Sequence, residues 1–400
     1  MINFTFTEGV LTLALEGRAD TAHAAALDAE IRDVISSLSE KPKSVIFDCE
    51  KLDYISSTGL RIILKYKKQF ADLQVLNVNN DVYSVFEMTG FSRIMKVQKA
   101  LRKVNLAACS LLAQGGNGAV YRISEEEIIK VQHLADTEQM MRDEIRRSKA
   151  AFVLGVPTAI SFDIVDCGEG RHGAVYEALN SDTLGRYVHA HPEKMQECAI
   201  KYAELLKTLH SSDATGTEFV TIKQSYRSYY KEAEKYYTSE EMAMLEDLLN
   251  MIPDRSTLVH ADAHTNNILM GADGELMFID MADTDQGHPV FDYSGISLAM
   301  IVPAGGTRDM IAICGMEKDE IFKFLTIAFT HLLGLTDPED IKQLIPRLFS
   351  VSFLKHSMII GHNNQSVNEI RPILLEFIRK SLFGNIEQIK KDIQWFIDRV

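Results

Sequence analysis

The first hundred residues alternate between the hydrophobic period of a strand and that of a helix. The segments FTFTEG and VLTLALEG predict two strands joined by a Glu-Gly turn, and SVIFDC and LQVLNV predict two further strands. Apolar residues recur with helical spacing from Leu27 to Leu38, and again from Leu60 to the stem of Lys67. A short helix at 81–88 and the segment FSRIMKV close the pattern. Alternating elements over one small core predict a compact α/β domain at residues 1–100.

A new pattern follows a charged segment of weak periodicity, QKALRKVN at 98–105, which we interpret as a linker. LLAQGGNGAVYRI and EEEIIKV predict a glycine-rich hairpin and a third strand, and AISFDIV and GAVYEAL predict two more. The segment TEQMMRDEIRRSKAAFVLG lies between these two pairs, and the spacing of its apolar residues predicts a helix. Its inner face is predicted to include Met140, Met141, Glu144, Ser148, Ala151 and Phe152.

Beyond residue 180 the chain is mostly helical in pattern. The segments LVHADAHTNNILM and ELMFIDMAD interrupt it and predict short strands around loops, and four amphipathic helices are predicted from residue 317 to the end. We therefore predict a β-rich lobe at 106–179 and a helical lobe at 180–400.

Composition supports globular folding. Of the 400 residues, 46% are hydrophobic, 24% are charged and only 9 are proline, which argues against disorder and against a fibre.

The start MINFTFTEGV has neither a basic leader nor an apolar signal core, and no apolar run approaches the roughly 18 residues of a spanning helix. We expect a soluble, cytoplasmic protein with no membrane partner. The 5 cysteines are odd in number and show no CxxC pair, so the sequence supports neither a disulfide framework nor a structural zinc site.

The formal net charge is -14, which disfavours nucleic acid as a partner. The first hundred residues hold 12 basic and 13 acidic side chains and the last hundred hold 12 of each, so residues 101–300 carry -13. This excess is consistent with a cationic substrate and equally with a solvated acidic surface.

The strongest chemical signal is a set of parts that phosphoryl transfer requires, because that reaction depends on positioning and on compensating phosphate charge. Gly115, Gly116 and Gly118 would let backbone amides approach phosphates, although GGNG is also a good hairpin turn. Lys130 alternates with the two apolar residues beside it, so its ammonium is turned away from their face. Glu144 lies on the inner face of its helix, where a partner such as Lys130 would offset the cost of burial; Glu138 is the alternative partner.

In LVHADAHTNNILM, Asp262 precedes Asn267 by the spacing of a kinase catalytic loop, and Asp280 follows in FIDMAD. Asp262 is predicted to accept the proton of a substrate hydroxyl, and Asn267 and Asp280 to bind Mg²⁺ through oxygen. Two alternatives stay open: Asx turns that flank core strands, and a zinc site formed by His260, Asp262 and His264.

These residues give the second region a resemblance, over roughly residues 105–300, to the aminoglycoside phosphotransferase and choline kinase family of small-molecule kinases. The family motif HGDLHPGN resembles HADAHTNN here, with Ala261 in place of glycine. GHPVFDYS is similar to the family segment G-D-P-x-x-D, which implies that Asp292 braces the catalytic loop. Only Met281 to Gln286 separate Asp280 from that segment, which leaves no room for an activation loop and favours a small-molecule acceptor over a peptide.

The first hundred residues resemble a STAS domain, the fold of anti-sigma-factor antagonists. The family's DSSGL-type segment presents a regulatory serine at a helix start, and SSTGL matches it here with Ser57 at the serine and Ser56 in place of the leading Asp. The resemblance implies that Ser57 is a phosphosite and that this domain docks a protein partner. Ser56, Ser57 or Thr58 can each cap this helix, and the alternative to a phosphosite is that Ser57 or Thr58 has no role beyond such a cap.

The sequence thus predicts an α/β STAS-like domain followed by an α+β bilobal protein-kinase-like fold. The predicted function is ATP- and Mg²⁺-dependent phosphotransfer to the hydroxyl of a small molecule, and the sequence does not distinguish ATP from GTP. The acidic middle region favours a cationic acceptor. Two other functions stay open: a regulatory protein that senses nucleotide and docks a partner, and a kinase that acts on Ser57.

Overall fold

The structure is a computed structural model that describes residues 2–114, 118–133, 137–179, 181–306, 309–362 and 365–400. The chain divides into two compact units, Met1–Lys103 and Val104–Val400, and their boundary lies within the segment interpreted as a linker. None of the helices in the described ranges is long and apolar enough to cross a membrane.

The first unit is one five-stranded sheet with connecting helices. Its strands follow chain order across the sheet: β1 (Asn3–Thr7), β2 (Val10–Ala19), β3 (Ser44–Ile55), β4 (Leu73–Val78) and β5 (Lys96–Lys99). The first pair is antiparallel and the other neighbours are parallel, so helices make the crossovers. These helices are α1 (Ala24–Ser37), α2 (Ser57–Gln69) and α3 (Asn80–Met88), and a two-residue strand, β6 (Arg102–Lys103), ends the unit. The strands and helices predicted from the hydrophobic pattern are confirmed.

The start of α2 shows which residue caps it. The Ser56 hydroxyl accepts the backbone N–H of Thr58 at 3.2 Å and that of Gly59 at 3.5 Å. Ser57 is exposed, and within the described ranges its hydroxyl makes no hydrogen bond. Of the three candidate caps, Ser56, Ser57 and Thr58, the structure confirms Ser56, which accepts two amides of the first turn; capping by Ser57 or Thr58 is wrong, and the hydroxyl of Ser57 is left available.

The second unit begins with a mainly β part. Five antiparallel strands lie in the order β10-β11-β9-β8-β7. They are β7 (Ser110–Gln114), β8 (Gly118–Arg122), β9 (Glu127–Gln132), β10 (Ser161–Asp166) and β11 (His172–Glu177). The helix α4 (Glu138–Val153) packs against β10 and β11.

The buried face of α4 differs from the predicted one at both ends. Met141, Glu144 and Ser148 are buried, but Met140 and Phe152 are about half exposed, at 50% and 51%. Successive residues of an α-helix lie about 100° apart, and Met140 and Phe152 directly flank the first and last buried residues of α4, so each lies at the edge of the buried stripe. The prediction for Met140 and Phe152 is wrong for that reason.

The rest of the second unit is mainly helical. The helices are α5 (Leu184–Ala190), α6 (Met195–His210), α7 (Ile222–Ala233), α8 (Ser239–Met251), α9 (Val290–Ala304), α10 (Met310–Cys314), α11 (Lys318–Leu333), α12 (Pro338–Val351), α13 (Phe353–Ile359), α14 (Gln365–Ser381) and α15 (Ile386–Ile397). The short strands are β12 (Asp182–Thr183), β13 (Leu258–Val259), β14 (Ile268–Met270), β15 (Leu276–Phe278) and β16 (Asp285–Gln286). They form the sheet β12-β14-β15 and the pair β13-β16.

Four helices are predicted after residue 317, and the described chain has five. The difference arises at Ser352, where one apolar pattern is divided into α12 and α13. The Ser352 hydroxyl donates to the carbonyl oxygen of Phe349 at 2.6 Å, a side-chain bond that competes with the regular helical pattern. The predicted count of four is therefore wrong by one, and the short helix α13 brings Lys355 to the interior.

Gly59→Ala should destabilise the first unit. An added Cβ would lie 2.3 Å from the carbonyl oxygen of Ala19 and 2.8 Å from a side-chain carbon of Ile55, so α2 would have to shift. Overpacking of this kind typically costs about 1–3 kcal/mol, more than the roughly 1 kcal/mol of helix propensity that alanine gains. Hydrogen exchange of the amides in α2 and β2 measures the effect. Gly384→Ala is the matched control, because its Cβ would meet only the Arg379 carbonyl oxygen at 3.7 Å, and equal exchange in the two variants would contradict the prediction.

Candidate functional site

The strand β9 and the helix α4 bring Lys130 and Glu144 together. Ile129 and Val131 point into the core, so the side chain of Lys130 lies on the other face of the strand. Its Nζ is 2.9 Å from Oε1 of Glu144 and 2.7 Å from Oδ1 of Asp280. Tyr176 also donates its hydroxyl to Glu144, at 2.7 Å. The ammonium thus contacts Glu144 and joins α4 to the residue predicted to bind metal.

Glu138, the alternative partner of Lys130, lies elsewhere. It pairs with Arg142 one turn further along α4, at 2.8 Å. Burial alone would favour loss of the proton from Lys130, but the carboxylates of Asp280 and Glu144 outweigh burial and raise the pKa of Lys130 above its ordinary value. Lys130 is therefore a fixed positive charge at neutral pH.

Of the three predicted phosphate-binding glycines, Gly118 is the one that the structure describes. It begins β8, where an added Cβ would lie 2.4 Å from the carbonyl oxygen of Val131. Only glycine allows β8 and β9 to approach this closely. Gly115 and Gly116 lie outside the described residues.

The loop that carries Asp262 is fixed by the buried carboxylate of Asp292 in α9. The backbone N–H of Ala261 donates to its Oδ1 at 2.5 Å, and that of His260 donates to its Oδ2 at 3.2 Å. His210 contacts the same Oδ2 through Nε2 at 2.8 Å. The resemblance implied a brace at Asp292, and these three contacts supply one.

Ala261 itself has a left-handed backbone, with φ of 63°, at the position where the family motif HGDLHPGN has glycine. Gly295 of α9 allows this loop to pass closely, since an added Cβ at Gly295 would lie 2.1 Å from the carbonyl oxygen of Ala261. The loop is thus held against α9 by hydrogen bonds on one side and by the absence of a side chain on the other.

Asp262 and Asn267 contact each other directly. The Asn267 Nδ2 group donates to the carbonyl oxygen of Asp262 at 2.9 Å and to its Oδ2 at 3.1 Å. Asp262, Asn267, Asp280, Lys130 and Gly118 line one cavity of about 480 Å³. The structure therefore brings together every predicted site residue of the second unit that it describes, with Glu144 directly behind Lys130.

The donor atoms of this cavity fit Mg²⁺. The amide nitrogen of Asn267 is used by Asp262 and one carboxylate oxygen of Asp280 by Lys130, so each residue keeps an oxygen that makes no hydrogen bond in the described chain. Mg²⁺ is commonly bound by one or two such oxygens together with substrate phosphates.

The zinc alternative lacks support. Both ring nitrogens of His260 are engaged: Nε2 contacts the Ile279 carbonyl oxygen at 2.9 Å, and Nδ1 accepts the N–H of Asp262 at 3.3 Å. Among the described residues, no group of three His, Cys, Asp or Glu side chains is arranged to bind a metal ion.

Lys355 of α13 is a site residue that the sequence did not predict. Its Nζ donates to the carbonyl oxygen of Ala261 at 2.7 Å and to Oδ2 of Asp283 at 3.2 Å, and it lies 3.5 Å from Oδ1 of Asp262. Only 9% of its side chain is exposed. The available signal was a lone lysine in the apolar run VSFLKHSMII, because a charge in such a run needs partners.

Lys355 sets the charge state of Asp262. Burial acts to raise the pKa of Asp262, but the ammonium of Lys355, together with His264 and His260, outweighs it and lowers the pKa to about 2. Asp262 is thus a carboxylate throughout the neutral range, and it can accept a hydrogen bond from a hydroxyl.

Comparisons with known proteins give a family for each of the two units. Residues 109–312, about half the chain, match the model of the phosphotransferase enzyme family, and residues 1–104 match that of the STAS domain. BtrV of Bordetella bronchiseptica, described as an anti-sigma factor antagonist, is 34% identical over 94 residues, which cover 22% of this chain and 78% of BtrV.

Solved structures with detectable similarity include two small-molecule kinases. An aminoglycoside-3'-phosphotransferase of type VIII is 15% identical, with a TM-score of 0.42 over 61% of this chain and 93% of its own. A choline/ethanolamine kinase family protein from Mesorhizobium loti is 13% identical, with a TM-score of 0.45 over 71% of this chain and 92% of its own.

The family matches and the architecture confirm the predicted fold class, an α/β STAS domain followed by an α+β kinase-like fold. The chain therefore belongs to the phosphotransferase enzyme family through residues 109–312, and it carries a STAS domain in residues 1–104.

Proposed function

We propose that this protein transfers the γ-phosphoryl group of ATP to a hydroxyl group of a small molecule. The observation that carries the proposal is the cavity in which Lys130, Asp262, Asn267 and Asp280 meet. Phosphoryl transfer needs a fixed cation for the phosphates, oxygen ligands for a metal ion and a group that orients the attacking hydroxyl. This cavity has all three.

On the nucleotide side, the ammonium of Lys130 would bind phosphate oxygens, with Glu144 fixing its position. Asn267 and Asp280 would bind Mg²⁺, which when bound neutralises charge on the phosphates. Lys130 is bonded to Asp280 at 2.7 Å, so the cation and the metal ligand are aligned within one cavity.

On the acceptor side, Asp262 would accept a hydrogen bond from the attacking hydroxyl. A carboxylate with a pKa of about 2 is a weak base, so it first orients the hydroxyl rather than removing its proton. The proton becomes acidic as the new bond from oxygen to phosphorus forms, and it then passes to Asp262. Orientation by Asn267 and Lys355 keeps the carboxylate in place for both steps.

The short segment after Asp280 supports a small acceptor. A single turn at Met281–Asp283 and the strand β16 (Asp285–Gln286) take up the residues between Asp280 and Gly287. No loop is left there to bind an extended peptide. The acidic middle of the chain favours a cationic alcohol as the acceptor.

A second function rests on Ser57, in the first unit. Its hydroxyl is exposed at the first position of α2 and makes no hydrogen bond in the described chain, while Ser56 caps the helix. Phosphate there would add about -1.5 to -2 charges at a helix start, where the helix dipole favours negative charge. We propose that Ser57 is a regulatory phosphosite that changes docking of a protein partner.

Replacement of the three charged site residues should separate binding from turnover. Asp262→Ala should lower turnover about 10²- to 10⁴-fold, because it removes the group that orients and deprotonates the acceptor, and it should leave Mg-ATP binding largely intact. Asp280→Ala should weaken Mg-ATP binding as well as turnover. Lys130→Ala should lower turnover through loss of the phosphate cation. Labelled ATP with a panel of hydroxyl acceptors measures turnover, and nucleotide titration with and without Mg²⁺ measures binding.

The control is Asp319→Ala, an exposed carboxylate in the first turn of α11 that should leave both readings unchanged. Retained turnover in both Asp262→Ala and Asp280→Ala would refute the assignment. An unchanged rate in Lys130→Ala would remove Lys130 from the site.

Ser57 should carry phosphate in protein isolated from its native cells, added by a separate kinase or by another copy of this chain. Mass spectrometry compares that sample with purified protein incubated with Mg-ATP, and Ser57→Ala identifies the modified peptide. Phosphate in the native sample alone indicates a separate kinase, and phosphate in both indicates self-modification. An unmodified Ser57 in both samples, across growth conditions, would contradict the proposal.

A further inference from the structure

The backbone at Asp280 is strained. Asp280 has a φ of 61°, in the left-handed region that residues other than glycine rarely adopt. A backbone in this region persists only where surrounding contacts hold it in place. Asp280 is also the proposed metal ligand, so the contacts that hold its backbone decide where its carboxylate points.

Two carbonyl groups that flank Asp280 are held by side chains from other parts of the chain. On one side, Nε2 of His260 contacts the Ile279 carbonyl oxygen at 2.9 Å. On the other side, Arg147 donates from Nη1 to the Ala282 carbonyl oxygen at 3.0 Å. His260 belongs to the loop before β14, whereas Arg147 comes from α4. The strained residue is therefore held on both sides, by two different elements.

The guanidinium of Arg147 is itself fixed by a buried carboxylate. Its Nη2 lies 3.6 Å from Oδ1 of Asp285, whose Oδ2 accepts the hydroxyl of Ser225 at 2.7 Å. Asp285 is buried, and 27% of the side chain of Arg147 is exposed. A guanidinium presents several donors in a rigid planar arrangement, so one arginine can contact a carboxylate and a carbonyl oxygen at once. Arg147 thus reaches the Ala282 carbonyl from a fixed position.

The helix α4 contacts two parts of the proposed site. Arg147 lies three residues after Glu144, so the two side chains leave neighbouring positions on one side of the helix. Glu144 contacts Lys130, the proposed phosphate cation, at 2.9 Å. Arg147 contacts the turn that follows the proposed metal ligand. One helix therefore holds both the cation and the metal ligand in position.

We propose that Arg147 is a positioning residue for the metal ligand Asp280. Its hydrogen bond to the Ala282 carbonyl oxygen keeps the turn at Met281–Asp283 in the conformation that directs the Asp280 carboxylate into the cavity. Without this bond, the backbone at Asp280 can relax from its strained conformation, and the carboxylate loses its fixed direction. The inference rests on the proposed Mg²⁺-dependent function.

The test measures ATP binding to the full chain by titration calorimetry, with and without Mg²⁺, and it needs no acceptor. In the wild-type protein Mg²⁺ should tighten ATP binding. Arg147→Met should raise the Kd for ATP in the presence of Mg²⁺ about three- to tenfold, as expected for the loss of one hydrogen bond. The Kd without Mg²⁺ should stay nearly unchanged. A merely structural role would change both values together.

Arg147→Met also leaves the buried carboxylate of Asp285 without its cation, which lowers stability. The double variant Arg147→Met/Asp285→Asn removes that charge as well, and it should show the same loss of the Mg²⁺ effect. Asp285→Asn alone is the matched control. It removes the ion pair but keeps the bond from Arg147 to the Ala282 carbonyl oxygen, so it should bind ATP with Mg²⁺ as tightly as the wild-type protein does.

Four outcomes would overturn the inference. A Mg²⁺ effect of wild-type size in the double variant does so and leaves the phosphotransferase function standing. An equal loss in Asp285→Asn does so because the ion pair, and not the bond to the carbonyl oxygen, is then responsible. Failure of both Arg147 variants to fold, with Asp285→Asn folded, assigns Arg147 to stability alone. Absence of any Mg²⁺ effect in the wild-type protein overturns the proposed function together with the inference.

Discussion

The buried carboxylate of Asp292 is the interaction on which the site depends. It accepts the backbone N–H groups of His260 and Ala261, so the loop that carries Asp262 is fixed to α9 through its main chain. A buried charge is tolerated only when it is paired and hydrogen-bonded, and His210 supplies the third contact. These contacts fix the backbone of the loop, and the side chain of Asp262 is oriented separately, by Asn267 at Oδ2 and by Lys355 at Oδ1.

Much of this arrangement could be predicted from sequence, because its parts obey local rules. Lys130 alternates with apolar neighbours on a strand, and Glu144 lies on the buried stripe of a helix, so each face follows from spacing alone. The spacing of Asp262 and Asn267 likewise sets a loop in which they contact each other at 3.1 Å. Periodicity says which face a residue occupies, and a buried charge on such a face implies a partner.

The features that could not be predicted depend on contacts between residues that are far apart in the sequence and on how the helices pack. No motif surrounds Lys355, and its contact with the Ala261 carbonyl oxygen depends on how α13 packs after the break at Ser352. Met140 and Phe152 lie at the edges of the buried stripe of α4, where the packing of neighbouring elements and not periodicity decides exposure.

The position of Lys355 also determines how much of the chain makes up a working unit. The family match ends at residue 312, and every recognisable motif lies before it, yet the cation beside Asp262 comes from α13 (Phe353–Ile359). A gene fragment cut at the family boundary would encode the glycine-rich hairpin, the proposed base and the proposed metal ligands but leave two carboxylates at its centre without their counter-charge. The smallest fragment worth expressing must therefore extend past Ile359, and because α11 to α15 also supply buried residues to the core, an inactive truncated product would not report on the chemistry of the motifs.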